Sequence, residues 1–190
     1  AMEKTALAVD HPRLRQRVKM LTDLLNAATL ARVKFDTGHE MTFDLRHRGR
    51  ATADAGECFA DSVLRLINLP TGEAFVVPYE GEFPGDPSLT TGLIPVKSHH
   101  GKPSSEGSLV VFMVEAGEIT EVGGDPCEAQ LWNEFFTSDP ARRHIAEFGL
   151  GCNDKAVVSG RVLEDEKAGF HWAFGRNEYF NDGHQGADGV

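Results

Sequence analysis

Past residue 30 the apolar side chains of this chain recur mostly at every second position, which restricts it to folds built around half-buried β-sheet. Val33 and Phe35 alternate with polar neighbours, Asp36-Thr37-Gly38-His39 supplies turn chemistry, and Met41, Phe43 and Leu45 alternate again. The stretch reads as a hairpin with one buried face. After Leu69-Pro70-Thr71-Gly72 a strand is expected over 73–77, closed by Pro78. A second hairpin is expected from the apolar run 108–114, the turn Glu115-Ala116-Gly117 and residues 118–122. Between them, 81–106 is rich in Gly, Pro, Ser and His and reads as loop around one short extended segment, 92–96. So long a loop in a compact domain is a functional or a mobile one.

Helical period is confined to a few stretches. Leu14, Val18, Leu21, Leu25 and Ala28 follow His11-Pro12 at helical spacing, so residues 12–31 are expected to form an amphipathic helix. Asp125-Pro126 pairs an N-cap with a first-turn proline, and Leu131, Trp132, Phe135 and Phe136 give the following helix an apolar side. Asp139-Pro140 repeats that signal for a shorter turn before 145–150 extends. Strands broken by few helices predict α+β: a mainly antiparallel sheet with an N-terminal helix and one or two further helices. The 190 residues, 41% of them hydrophobic, suffice for a single domain over 1–190. The Gly- and Asp-rich tail 181–190 reads as loop or frayed end.

Composition removes several functions. A net charge of −10 disfavours nucleic acid, whose phosphates draw on surplus Lys and Arg. The basic clusters Arg13, Arg15, Arg17, Lys19 and Arg46, Arg48, Arg50 read as solvated faces. No apolar run approaches the ~20 residues of a membrane span, and the N-terminus lacks the regions of a secretory signal. Three scattered cysteines, Cys58, Cys127 and Cys152, argue against a disulfide framework and against a cysteine zinc cluster. A soluble, cytoplasmic protein is the expectation.

No phosphate loop, nucleophile elbow, HExxH or paired CxxC is present. Ser104-Ser105 near His99-His100 lacks the strand-to-helix turn that exposes a serine nucleophile, and the adjacent histidines read as exposed loop residues. Three residues stand out, because each interrupts an extended apolar stretch: Glu73, Glu147 and His171. A carboxylate there needs solvent, a donor or a cation. A divalent metal would satisfy all three, whereas simple alternation would put each on the wet face of its strand, and spacing alone favours alternation. Phe83, Phe112, Trp132, Phe170 and Trp172 are cleft candidates, though aromatics at such positions are more often core.

A family resemblance bears on that choice. Pro70-Thr71-Gly72-Glu73, a hairpin-like middle, His144-Ile145-Ala146-Glu147-Phe148-Gly149-Leu150-Gly151-Cys152-Asn153, then Glu164-Asp165-Glu166-Lys167-Ala168-Gly169-Phe170-His171, with a glycine-rich end, resembles the C-terminal domain of the aminopeptidase T family of metalloproteases. Its wider kin, the iron-dependent dihydroxypyridine ring-opening dioxygenases, are similar too. The resemblance runs from about Ala8 to the end of the chain. It implies metal ligands at Glu73, Glu147 and His171, with Tyr179 near the tyrosine position but one residue late. The family's late His-x-Asp pair has no match, since His184 and Asp188 have the wrong spacing. The large N-terminal domain of family enzymes has no counterpart, and Ala1-Met2 reads as a cloning remnant before a natural start.

Two functions are therefore expected to compete. The first is a non-catalytic peptide-binding accessory protein on a shortened metallopeptidase-like domain, a role the resemblance links to precursor peptides in ribosomal peptide natural-product biosynthesis. Its metal site would be a remnant and no cofactor is expected. The alternative is a metal-dependent aminopeptidase or ring-cleaving dioxygenase using zinc, cobalt or ferrous iron, with one carboxylate of Glu164-Asp165-Glu166 as general base. The family relatives and exposed hairpins imply a homodimer.

Overall fold

The computed structural model describes residues 2–48, 50–57, 68–178 and 183. The architecture is the expected α+β: two antiparallel sheets and few helices. The chain divides into two compact units, one of Ala1–Ala27, Gly49–Val76 and Phe148–Trp172, the other of Ala28–Arg48, Val77–Glu147 and Ala173–Val190.

In the first unit, helix α1 (His11–Ala27) begins where Asp10 accepts from the Arg13 backbone and buries Leu14, Val18 and Leu25. It stops four residues short of the expected end, because Leu30 onward is claimed by sheet pairing in the other unit. Val9, Leu14 and Val18 form a core cluster with Ala55 and Cys152 against them. The unit's sheet has the order β10-β9-β4-β3, from β3 (Thr52–Asp54), β4 (Glu73–Val76), β9 (Ile145–Gly151) and β10 (Phe170–Phe174), the last two contributing residues to both units. β4 is antiparallel to β3 and to β9, with Asp54 opposite Glu73 and Glu73 opposite Gly151. The short helix α3 (Val162–Asp165) precedes β10. Neither β3 nor α3 was expected from the sequence.

The second unit contains the expected hairpins, β1 (Leu30–Lys34) with β2 (Glu40–Asp44) and β7 (Ser108–Glu115) with β8 (Glu118–Gly124). Between them runs β5 (Thr91–His99), nine residues where the sequence suggested a short extension in a loop, and β6 (Lys102–Pro103) folds back on it. Pro95 hid this strand, since a proline argues against a central position. The structure accommodates it: β2 pairs β5 only at Thr91 and Gly92 and β6 only at Ser98 and His99. Opposite its β7 side, Pro95 thus has no described strand that needs an N–H. Helix α2 (Pro126–Ser138) is capped by the Asp125 side chain, as expected, and buries Ala129, Trp132 and Phe136.

The core of this unit is aromatic. Phe112, Trp132, Phe136 and Phe174 meet edge-on or stacked with centroids 5.1–6.3 Å apart, the geometry ring quadrupoles favour. The buried Trp132 indole donates to Ser98 Oγ at 2.8 Å, and that hydroxyl donates to Glu128. Arg46 and Arg48 do not form a solvated face. Arg46 forks onto the fully buried Asp44 through Nε and Nη2 and reaches Asp86 through Nη1. Arg48, 8% exposed, donates to the Val77 and Pro78 carbonyls and to Glu82. Arg48 was misread because its acceptors lie about 30 positions away, and Arg46 because the burial of its near neighbour Asp44 is set by distant chain. The tail 181–190 lies, but for Gly183, outside the described residues.

Candidate functional site

Two glycines of β9 shape the centre of the first unit. A Cβ on Gly149 would lie 1.9 Å from His171 Nε2, and one on Gly151 would lie 2.2 Å from the Glu166 carbonyl. Only a strand bare at both positions lets the imidazole and the Glu166-Lys167 turn lie against it. The Lys167 backbone is held there, its carbonyl accepting from Asn153 N and its N–H donating to the Glu164 carbonyl. From this turn the Lys167 side chain runs inward and is fully buried.

Its ammonium donates to Glu73 Oε1 at 2.5 Å and Glu166 Oε1 at 2.6 Å, and stands 3.5 Å from Asp54 Oδ2. Thr71 Oγ1 donates to Asp54 Oδ1 at 2.7 Å. Glu73 Oε2 faces His171 Nε2 at 3.2 Å, without a well-directed hydrogen bond. The other ring nitrogen, Nδ1, is 3.2 Å from the Gly169 carbonyl, which can only accept, so Nδ1 carries a proton. One cation thus sits among three carboxylates, with an imidazole at their edge.

Charge follows this geometry. Burial pushes the Glu73 carboxyl up, but the His171 ring and the Lys167 ammonium outweigh it and hold the group below its usual range. Asp54 and Glu166 are raised, chiefly by burial, with the Glu73 charge adding to it. Burial acts to lower the Lys167 ammonium, and Glu73 and Glu166 more than reverse it, so the lysine stays protonated. The arrangement is a buried cation with a surplus of acid around it.

Of the residues singled out from sequence, the structure brings Glu73 and His171 together. Glu147 is the half-buried third residue of β9 and belongs to the second unit. Tyr179, His184 and Asp188 lie outside the described residues. His99 and His100 are exposed, as expected. Phe112 and Trp132 are core, Phe83 is exposed, and Phe170 and Trp172 are half-buried. Sequence reasoning quoted Lys167 as the end of an acidic cluster without giving it a role, and passed over Asp54. The available signal for Lys167 was its Ala168-Gly169-Phe170 flank, too apolar for a solvated lysine. Asp54, in a three-residue strand, offered none.

A second feature lies in the same unit. Beside β3, the outer strand of its sheet among the described residues, α1 and the chain 53–57 border an open groove of about 360 Å³. Val18, Ala53 and Ala55 floor it, and Arg15, Lys19, Asp23 and Glu57 stand at its rim.

The sequence matches the 2,5-dihydroxypyridine 5,6-dioxygenase family over residues 3–174. The chain belongs to this family. The fold agrees with that of the 2,5-dihydroxypyridine dioxygenase from Pseudomonas putida KT2440, at 19% identity and a TM-score of 0.65, over 92% of this chain and 52% of that one. It agrees also with wild-type AmpT from Thermus thermophilus, at 20% identity and a TM-score of 0.59, over 90% of this chain and 43% of that one. The chain therefore spans about half the length of either protein. None of the curated proteins matches the sequence.

Likeness to the dioxygenase family implies a metal, which the donor set can be tested for. In the first unit, Glu73 Oε2 and Asp54 Oδ2 accept no hydrogen bond from the described residues, while Glu73 Oε1 is taken by the ammonium. Among the described residues no group of three or more His, Cys, Asp or Glu could hold a metal ion. A divalent ion takes four or more ligands, and no such set of side chains is assembled among the described residues. Among the described residues no helix is long and apolar enough to cross a membrane.

Proposed function

We propose that the chain is a non-catalytic peptide-binding protein on a metallopeptidase-like domain, and that its ligand is an extended segment such as a precursor peptide in ribosomal peptide natural-product biosynthesis. The observation that carries this reading is the pairing of the outer strand β3 with the apolar-floored groove along α1. An edge strand offers backbone groups to an added strand, and a groove beside it takes alternate side chains. Its volume of about 360 Å³ suits a few apolar side chains. Mixed charges at the rim, Arg15 and Lys19 against Asp23 and Glu57, would fix the peptide's direction. On this reading Glu73, Glu147 and His171 are the remnant of an ancestral metal site.

The test is a titration of labelled candidate peptides, read by fluorescence anisotropy. Thr22 of α1 also lines the groove. Ala53→Lys, which puts a charge on the edge, and Thr22→Trp, which fills the groove, should each weaken binding about tenfold or more. Glu147→Ala and His171→Ala should leave it within about threefold. Equal loss in all four variants, with folding intact, would remove the groove as the contact surface.

The second reading is a metal-dependent ring-cleaving dioxygenase or aminopeptidase, favoured by the family match over residues 3–174. Its residues would be Glu73, Glu147 and His171, with Glu166 as general base, and its metal zinc, cobalt or ferrous iron. Oxygen uptake with a dihydroxypyridine, or release of N-terminal residues from peptides, after loading with each ion would establish it.

A further inference from the structure

We propose that Lys167 is the resident cation of the acidic cluster in the first unit, standing where a divalent ion would otherwise be required, so that this unit folds without bound metal. The inference does not rest on peptide binding. It stands on the placement of the side chain: the ammonium is fully buried and contacts Glu73 and Glu166 directly, with Asp54 at 3.5 Å. Three carboxylates converging in a protein interior demand a cation; the lysine donates to two of them and stands near the third, whose Oδ2 accepts no hydrogen bond.

The surroundings fix the cation in that place. The Lys167 backbone is pinned from both sides, by Asn153 and by Glu164, and Gly151 lets the turn press onto β9. With the backbone so held, withdrawing the ammonium would break its contacts with Glu73 and Glu166. A divalent ion at Glu73 Oε2 would sit one carboxylate's width from it, and like charges at that distance in a poorly solvated site repel strongly. His171, seated against Gly149, faces Glu73 on that side. Cation and acids are thus encoded together in the chain.

Because the lysine and an external ion compete for the same carboxylates, removing one should admit the other. The chain purified without chelator is analysed for bound metal, then melted with and without EDTA and with zinc, cobalt or ferrous iron added. Well below one ion per chain is expected, and a melting temperature that moves by less than about 2 °C in every condition. Lys167→Ala should lower the melting temperature by about 10 °C, and cobalt should recover part of that loss in the variant alone. Lys167→Met/Glu73→Gln, which removes both partners, should melt above Lys167→Met. One tightly held ion per wild-type chain, released by Glu73→Gln or His171→Ala, would overturn the proposal. So would a Lys167→Met protein as stable as the wild type.

Discussion

Lys167 in the first unit and Asp44 in the second are both fully buried charges, yet their partners differ. Asp44 accepts from Arg46 Nε and Nη2 and from the backbone N–H groups of Arg46 and Leu89. Nearby, Arg48 serves Glu82 and Arg46 also serves Asp86. Asp44, Glu82 and Asp86 are accordingly all held below the usual carboxyl range, each against a burial effect that acts the other way. Around Lys167, one point charge is divided among three acids, and two of them, Asp54 and Glu166, are pushed up. Planar guanidiniums give each acid its own directed donors, even where Arg46 is shared by Asp44 and Asp86, which suits a scaffold. A shared ammonium leaves acid to spare, a pattern more often found at functional sites. The two units thus differ in how buried charge is met, by one shared ammonium in the first and by directed guanidinium donors in the second.

The largest effect expected in this comparison comes from breaking the second unit's network. Asp44→Ala would leave the Arg46 guanidinium half paired and strand the Leu89 N–H, at a cost of about 3–5 kcal/mol. Urea unfolding would read it directly. A cost below about 1 kcal/mol would mean that Arg46 finds Asp86 and solvent sufficient, and that the contrast between the units is one of geometry and not of energy.

Acid should sharpen the same contrast, with a smaller effect. The folded-state carboxyls of Asp44, Asp86 and Glu82 lie below their ordinary values of 3.8, 3.8 and 4.5. Each therefore contributes stability that is present above those values and is lost as pH falls through the lowered folded ones. Amides of β2 and β5 should lose hydrogen-exchange protection as pH drops from about 4.5 toward 3. Asp44→Asn should flatten that dependence. Unchanged protection across that window would show that Asp44 and its neighbours do not hold the sheet.

How much of this was legible depended on how locally each feature is encoded. Helix α1, both hairpins and the Asp125 cap of α2 follow from period and turn chemistry within a few residues. Proline and glycine disguised β5, whose pairing is visible only once β2 and β6 are seen to leave Pro95 uncovered. The Glu73 and His171 pair was found because polar residues in apolar strands stand out. Lys167 was not, for the opposite reason: it follows three acids, and a run of charge reads as surface. Its burial depends on Gly151 and Asn153 meeting the same turn, which the apolar flank 168–170 hints at without specifying.

The smallest expected effect concerns the groove rim. Arg15 Nη1 and Glu57 Oε1 are 2.6 Å apart, but their side chains are 45% and 32% exposed. Exposed pairs contribute about 0–1 kcal/mol, so Arg15→Ala, Glu57→Ala and the double variant should unfold within that range of wild type. The same substitutions leave Val18, Ala53 and Ala55 in place while removing charge from the groove's edge. If the rim orients a peptide, its association should slow in the single variants and become less sensitive to salt. Charges placed only for solubility would leave both the rate and its salt dependence unaltered. Such a result would confine recognition to the apolar floor and the edge of β3.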